Sequence, residues 1–171
     1  MSMQRIGIYA GSFDPPTNGH LWMIQRGAEM FDELVVVLAV NPDKRGLFSL
    51  EQRQQLMATL LEGLPSHVRL ATVEQGFLVD FARREGAGFL LRGIRNTMDF
   101  EYEKSMARMN ARMESDIRTV FLMPPGELEE ISSSMVRALS AWTAGSAGCG
   151  AVCRPVCSMP LCNNLNHDIL G

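Results

Sequence analysis

The chain has 171 residues, of which 46% are hydrophobic and 20% charged, a composition typical of one globular domain with a full core. Its net charge of −3 argues against a general binder of nucleic acid or anionic membranes, so an anion site has to be a local cluster of basic residues. The sequence contains neither a long apolar run nor a signal-peptide pattern, so we expect a cytoplasmic protein without a membrane partner.

Apolar segments alternate with amphipathic helical patterns along the chain. The predicted strands are 5–10, 34–40, 68–73, 89–91 and 119–123. The predicted helices are 19–31, 49–62, 77–85, one that begins near 96, and one from 131 to about 142. With short connections and right-handed crossovers, this order predicts an α/β fold: a Rossmann-like five-stranded parallel sheet with helices on both faces. Strand 34–40 is too apolar for an edge, and we place it centrally.

Polar segments follow four of the predicted strands, at 11–20, 41–46, 92–95 and 124–134. The carboxyl ends of parallel strands share one edge of the sheet, where open α/β folds bind ligands, so we expect these segments to converge on one crevice. Segment 11–20, GSFDPPTNGH, places glycines, prolines and one His between a strand and a helix. This pattern predicts a phosphate-handling turn.

Within that turn, His20 lies near the start of the first predicted helix. A helix N-terminus presents unpaired N–H groups, and an imidazole there can donate to a phosphoryl oxygen. A local capping or packing role is the alternative. Ser12 suits either a phosphate contact or plain turn chemistry, and Asp14, before a proline, is interpreted as an Asx-type turn former.

Basic residues follow two of the other strands. Lys44 lies in the second polar segment, while Arg92 and Arg95 flank Gly93 in the third. Two guanidiniums around a glycine that lets the backbone approach a ligand suit phosphate binding. Together these cations predict a polyanionic substrate. The serines 132–134 open the last predicted helix as a cap, as a second phosphate site, or as both.

Other patterns narrow the chemistry. Tyr102, Met106, Met109 and Met113 recur at helical spacing and predict a core or subunit contact. The sequence lacks a Ser-His-Asp spacing, a P-loop, a zinc-protease motif and a dinucleotide glycine motif. Phosphoryl or nucleotidyl transfer by positioning and charge stabilisation remains.

The sequence resembles a known family over about residues 4–141. GSFDPPTNGH resembles the (T/H)xGH signature of the nucleotidylyltransferase superfamily, and ISSSMVR resembles its second signature. The block RGIRNTMDFEYEKSMARMN, with FLMPP after it, is similar to the bacterial phosphopantetheine adenylyltransferases in particular. The first motif alone identifies only the superfamily, and the middle block is more specific.

The resemblance implies that ATP and 4′-phosphopantetheine react to dephospho-coenzyme A and pyrophosphate with Mg²⁺, in a homohexamer. It assigns catalysis to His20, Lys44 and Arg92. It assigns the acceptor to Ser12, Lys44, Leu78 and Arg92. It assigns ATP to Ser12, Phe13, His20, Gly93, Ile94, Arg95, Glu103, Leu128, Glu129, Glu130, Ile131, Ser132, Ser133 and Ser134.

Two other readings stay open at this point. One is another nucleotidylyltransferase, either a mononucleotide adenylyltransferase or a glycerol-3-phosphate cytidylyltransferase. The other is a sensor that binds nucleotide or coenzyme A without turnover.

The last segment differs from the rest. We divide the chain into a nucleotidylyltransferase domain, 1–142, and a divergent tail, 143–171, which contains all four cysteines. Their spacing, C-x3-C-x3-C-x4-C, lacks the C-x2-C pairs that structural zinc sites prefer. We therefore expect incidental thiols rather than a metal site or a disulfide, and no protein-held metal elsewhere.

Overall fold

The structure is a computed structural model that describes residues 4–40, 46–129 and 133–137. The strands are β1 (Ile6–Gly11), β2 (Glu33–Ala39), β3 (Val68–Val73), β4 (Phe89–Gly93) and β5 (Arg118–Leu122). The helices are α1 (Asn18–Met30), α2 (Leu50–Leu61), α3 (Leu78–Arg84), α4 (Thr97–Met113) and α5 (Gly126–Glu129). Residues 133–137 are also helical. The predicted tail, 143–171, lies outside the described residues.

All strands are parallel, in the spatial order β3-β2-β1-β4-β5. The predicted Rossmann-like sheet is thus confirmed, and the bounds predicted for β3 match the structure. β1 occupies the centre, while β2 is an interior strand between β1 and β3. The chain runs from β1 outwards to β2 and β3, then crosses to β4 and β5 on the other side of β1, which makes the carboxyl ends of β1 and β4 the switch point of the fold.

The sheet separates two apolar cores because successive side chains of a strand point to opposite faces. Leu34, Val36 and Leu38 of β2 pack with Met23 of α1 and Met57 of α2. The intervening valines of β2 pack with the buried residues of α3, among them Val79, Phe81 and Ala82. Helices therefore cover both faces, as predicted. This double burial explains the continuous apolar run of β2.

α4 differs from the other long helices, since none of its residues is buried. Phe100 packs edge-on against Phe121 of β5, with ring centroids 6.2 Å apart. The large exposed apolar side chains of α4 include Met98, Tyr102, Met109 and Met113. The core alternative for the predicted methionine stripe is therefore wrong, and a subunit contact stays a prediction.

The predicted capping box at α2 is confirmed. The Gln52 N–H donates to Ser49 Oγ at 3.2 Å, and the Ser49 N–H donates to Gln52 Oε1 at 2.9 Å. Across the described ranges, no helix combines the length and apolarity needed to cross a bilayer.

Candidate active site

A cavity of about 270 Å³ opens at the switch point. Its walls come from the segment after β1, the segment after β4 and the segment after β5, so three of the four predicted segments converge there. The lining residues are Tyr9, Ala10, Ser12, Thr17, Gly19, His20, Met23, Arg92, Gly93, Arg95, Glu103, Pro124, Leu128, Ser133, Ser134 and Arg137.

Many of the predicted site residues meet at this cavity: Ser12, His20, Arg92, Gly93, Arg95, Glu103, Leu128, Ser133 and Ser134. Lys44, Glu130, Ile131 and Ser132 lie outside the described residues, as does the side chain of Glu129. Their predicted roles stay predictions.

The structure places three predicted residues elsewhere. Phe13 has a fully buried ring and a φ of 45°, so its side chain belongs to the core and not to the cavity wall. Ile94 is buried, and its N–H donates to the carbonyl of Leu122 at 2.9 Å. Leu78 packs against the core on the α3 side of the sheet. None of these three residues lines the cavity, and their predicted contacts with substrate stay predictions.

His20 is held by the residue that precedes α1. The Thr17 N–H donates to His20 Nδ1 at 2.9 Å, and Thr17 Oγ1 lies 3.0 Å from the same nitrogen. Because Nδ1 accepts these bonds, we assign the ring proton to Nε2. Phe13 packs edge-on against the ring at 5.0 Å and limits its rotation. The cavity thus contains an oriented Nε2–H donor at a helix N-terminus.

The imidazole is neutral at physiological pH. Burial, and secondarily the positive charge of Arg95, lowers the pKa of His20 to about 4. A ring that keeps its proton on Nε2 without a charge is suited to donate to an anionic oxygen. It is not suited to act as an acid near neutral pH.

This shift predicts a pH dependence of stability. Between pH 4 and 6.5 the unfolded chain binds a proton at His20 that the folded chain does not, so the free energy of unfolding falls as the pH is lowered. The size is at most about 3 kcal/mol, because the ring is partly open to the cavity. Denaturant unfolding of the wild type and of His20→Asn across this range checks the prediction. Parallel curves for the two proteins would contradict it.

Arg92 is oriented by a bidentate ion pair. Its Nε and Nη2 donate to the two carboxylate oxygens of Glu103, each at 2.7 Å, and Nη1 donates to the carbonyl of Ala10 at 3.1 Å. The Glu103 side chain is only 14% exposed. These bonds use three of the five guanidinium N–H groups, which leaves two for a ligand. Glu103 therefore positions the Arg92 guanidinium at the cavity wall.

Arg95 is oriented in the same manner by a carboxylate that is closer in the sequence, that of Asp99. Its Nε donates to Asp99 Oδ2 at 2.8 Å, within the first turn of α4. Since the Arg95 side chain is 41% exposed, this pair is weaker than the Arg92–Glu103 pair. The cavity thus receives both guanidiniums, as the sequence predicts, but Arg92 lies in β4 and only Arg95 lies in the loop that follows.

The residues around 133–137 are tied to the turn after β1. Ser133 Oγ donates to the carbonyl of Pro15 at 2.8 Å, and Arg137 Nη1 donates to the carbonyl of Asp14 at 2.8 Å. Arg137 Nη2 also donates to Ser134 Oγ at 2.8 Å. Two of the three predicted serines, Ser133 and Ser134, thus line the cavity with their hydroxyls already oriented.

Some residues of the cavity wall are not among the predicted site residues. Thr17 and Arg137 lie inside the two quoted signatures, which was the signal that could have found them. Tyr9 and Met23 have the sequence pattern of ordinary core residues. Their position on the cavity wall follows only from the fold. Burial raises the pKa of Tyr9 well above its usual value, so it contributes a neutral phenol.

Comparisons with known proteins agree with this site. The Cytidylyltransferase-like family model matches residues 8–139. The phosphopantetheine adenylyltransferase of Neisseria meningitidis serogroup C is 49% identical over 142 residues, which are 81% of this chain and 83% of that protein. The Desulfitobacterium hafniense protein of the same name is 47% identical over 144 residues, 84% of this chain and 85% of that protein. The chain belongs to the phosphopantetheine adenylyltransferase family.

Solved structures extend the family's fold to more distant nucleotidylyltransferases. Nicotinic acid mononucleotide adenylyltransferase of Plasmodium falciparum, complexed with NaAD, matches with a TM-score of 0.59 at 17% identity, over 79% of this chain and 83% of that one. A putative nicotinate-nucleotide adenylyltransferase of Vibrio parahaemolyticus matches with a TM-score of 0.58 at 19% identity, over 80% and 81%. At this identity the likeness concerns the fold alone.

Proposed function

We propose that the chain transfers the adenylyl group of ATP to 4′-phosphopantetheine, giving dephospho-coenzyme A and pyrophosphate. The observation that carries the proposal is the meeting of a neutral, oriented His20 with a Glu103-held Arg92 at one cavity. The curated relatives that share this chain's sequence bear the name of that enzyme.

The reaction needs no covalent intermediate. An oxygen of the acceptor phosphate attacks the α-phosphorus of ATP, the new P–O bond forms, and the bond to the β-phosphate oxygen breaks. Pyrophosphate leaves with that electron pair. The attacking phosphate is ionised near neutral pH, so a general base is unnecessary. Catalysis then consists of alignment and of stabilising the charge that develops on oxygen.

Each described residue has a place in this scheme. His20 donates its Nε2–H to a non-bridging oxygen of the α-phosphate, where charge develops. Arg92 offers its two remaining N–H groups to the acceptor phosphate, with Ser12 beside it. Lys44, which lies outside the described residues, is proposed to bind the same phosphate. Arg95, Ser133 and Ser134 face the ATP side, where the N-terminus of α1 adds a favourable dipole.

Mg²⁺ enters as part of the substrate. Among residues 4–40, 46–129 and 133–137, no three His, Cys, Asp or Glu side chains form a group able to hold a metal ion. Glu103, a carboxylate of the cavity wall, is already paired with Arg92. Mg²⁺ binds through substrate phosphates in many nucleotide enzymes, and we propose that it arrives as MgATP.

One assay separates the proposed activity from its alternatives. The purified chain is incubated with MgATP or MgCTP and a panel of acceptor phosphates, and pyrophosphate release is measured. We expect turnover with phosphopantetheine alone. Turnover with nicotinate mononucleotide would indicate a mononucleotide adenylyltransferase, and use of CTP with glycerol 3-phosphate a cytidylyltransferase. Binding without turnover of any acceptor would indicate a sensor.

We also propose that the enzyme is cytoplasmic and assembles as a homohexamer in which α4 contributes to subunit contacts. The apolar residues of α4 that the single chain leaves exposed include Met98, 84% exposed, and Tyr102, 63% exposed. A stripe of this kind is typical of an association surface.

Charged substitutions on this stripe should therefore reduce assembly. We expect Met109→Glu and Tyr102→Glu to lower the mass measured by sedimentation velocity, since a buried unpaired carboxylate is costly. Gln55→Glu places the same charge on an exposed position of α2 and should leave the mass unchanged. An unchanged mass in the α4 variants would contradict the proposed contact.

A further inference from the structure

Asp14 joins two loops that are far apart in the sequence. Its Oδ2 accepts the N–H of Leu47 at 2.8 Å and its Oδ1 accepts that of Phe48 at 2.9 Å. The partners are 33 and 34 residues away, so the predicted local Asx turn is wrong. The residue is only 4% exposed. A buried carboxylate that accepts backbone N–H bonds on both oxygens is a strong, directional link.

The second loop fits this link closely. A Cβ added at Gly46 would lie 3.1 Å from Asp14 Oδ2 and 3.0 Å from the carbonyl oxygen of Phe48. An alanine here would therefore need a shift of the Asp14 carboxylate or of the Phe48 backbone. From the far side, Arg53 of α2 donates through Nη1 to the carbonyl of Ser12 at 3.1 Å. We name this set, Ser12, Asp14, Gly46–Phe48 and Arg53, the Asp14 clamp.

Asp14 also contacts Arg137, a lining residue from the helical residues 133–137. Its backbone carbonyl accepts the bond from Arg137, and its Oδ2 lies 3.7 Å from Arg137 Nη1. Asp14 itself is not a lining residue of the cavity. It thus lies behind the wall, between the segment that follows β2 and the helical residues 133–137.

We propose that Asp14 is a positioning residue that aligns the acceptor side of the site with the ATP side. The inference rests on the proposed function, in which Lys44, two residues before Gly46 in the sequence, binds the acceptor phosphate. In-line attack demands close alignment, and a misplacement of about 1 Å costs on the order of 10²-fold in rate. The clamp holds Gly46–Phe48, the described residues that follow Lys44 in the sequence, against the turn after β1.

Loss of the clamp should act on one substrate more than on the other. Asp14→Asn cannot accept both N–H bonds, so the Gly46–Phe48 segment loses one anchor. The ion pair of Oδ2 with Arg137 is also lost, but the bond from Arg137 to the Asp14 carbonyl and the bonds that hold His20 and Ser133 remain. Because misalignment lowers the rate, we expect kcat to fall about tenfold, the KM for phosphopantetheine to rise about tenfold and the KM for MgATP to change less than about twofold. A purely structural role would instead lower thermal stability and affect both substrates alike.

Steady-state kinetics on matched pairs of variants test this. Gly46→Ala disturbs the clamp from the opposite loop and should reproduce the split of Asp14→Asn. Asp32→Asn changes another carboxylate that accepts a backbone N–H, from Arg5 at 2.8 Å, and lies outside the cavity. Gly88→Ala adds a Cβ that meets no atom within 4 Å. Both controls should keep wild-type KM values for both substrates.

The outcomes separate the two proposals. If the wild type turns over phosphopantetheine and Asp14→Asn keeps its acceptor KM, or raises both KM values equally, the positioning role is overturned and the proposed function stands. If the wild type itself gives no pyrophosphate with phosphopantetheine, the proposed function fails and the inference falls with it. Should Asp14→Asn not fold, the same criteria apply to Gly46→Ala.

Discussion

Replacing His20 with alanine should lower kcat by about 10²- to 10³-fold, the usual cost of losing one preorganised donor to a developing oxyanion. The structure gives the reason: Thr17 holds Nδ1 at 2.9 Å, so the neutral ring presents its Nε2–H without reorganisation. Because this bond strengthens in the transition state, the KM values for MgATP and phosphopantetheine should change less than about threefold.

The matched control is His67→Ala. His67 is another imidazole of the described residues, and its Nε2 contacts the carbonyl of Ala28 at 2.9 Å, away from the cavity. Its loss should reduce stability and leave kcat within about twofold of the wild type. The measurement is steady-state pyrophosphate release at saturating substrates. A His20→Ala enzyme with near-wild-type kcat would remove His20 from the chemistry.

Replacing Arg92 with alanine should raise the KM for phosphopantetheine about 10- to 100-fold, as expected for hydrogen bonds between charged groups. Two effects combine. The acceptor phosphate loses a guanidinium, and the Glu103 carboxylate, only 14% exposed, loses its partner and repels the incoming anion. The KM for MgATP should rise much less.

A second substitution separates these two effects. In the double variant Arg92→Ala with Glu103→Gln, repulsion is removed but the guanidinium is still missing, so the acceptor KM should recover in part. Arg69→Ala is the control, because Arg69 also bridges two carboxylates, Glu33 and Glu85, but outside the cavity. An Arg92→Ala enzyme whose acceptor KM stays at the wild-type value would contradict the assignment.

The sequence predicts the fold well because the apolar patterns and capping residues of its strands and helices match the burial that each element has in the structure. β2 reads as an interior strand since both of its faces are covered, and the bounds of β3 are predicted correctly. The capping box of Ser49 and Gln52 is local, and it forms as predicted. The methionine stripe of α4 misleads because spacing identifies an apolar face without saying what covers it.

The site is predicted less completely, for physical reasons. Glu103 and Arg92 stand on a helix and a strand, and their pairing depends on the packing between them. Asp14 looks like a turn former because its partners are more than thirty residues away. Phe13 lies within a ligand signature, yet its ring fills the core beside Gly11, where an added Cβ would lie 3.1 Å from the ring.

The absence of buried residues in α4 has a consequence for the binding of the acceptor substrate. This helix carries Glu103 but buries none of its own residues in the single chain, so we expect it to open more readily than the sheet in a dissociated subunit. Each opening would remove the carboxylate that orients Arg92. Acceptor affinity and subunit association are then linked quantities, and the charged α4 variants should lose both together when sedimentation and the acceptor KM are measured on the same samples.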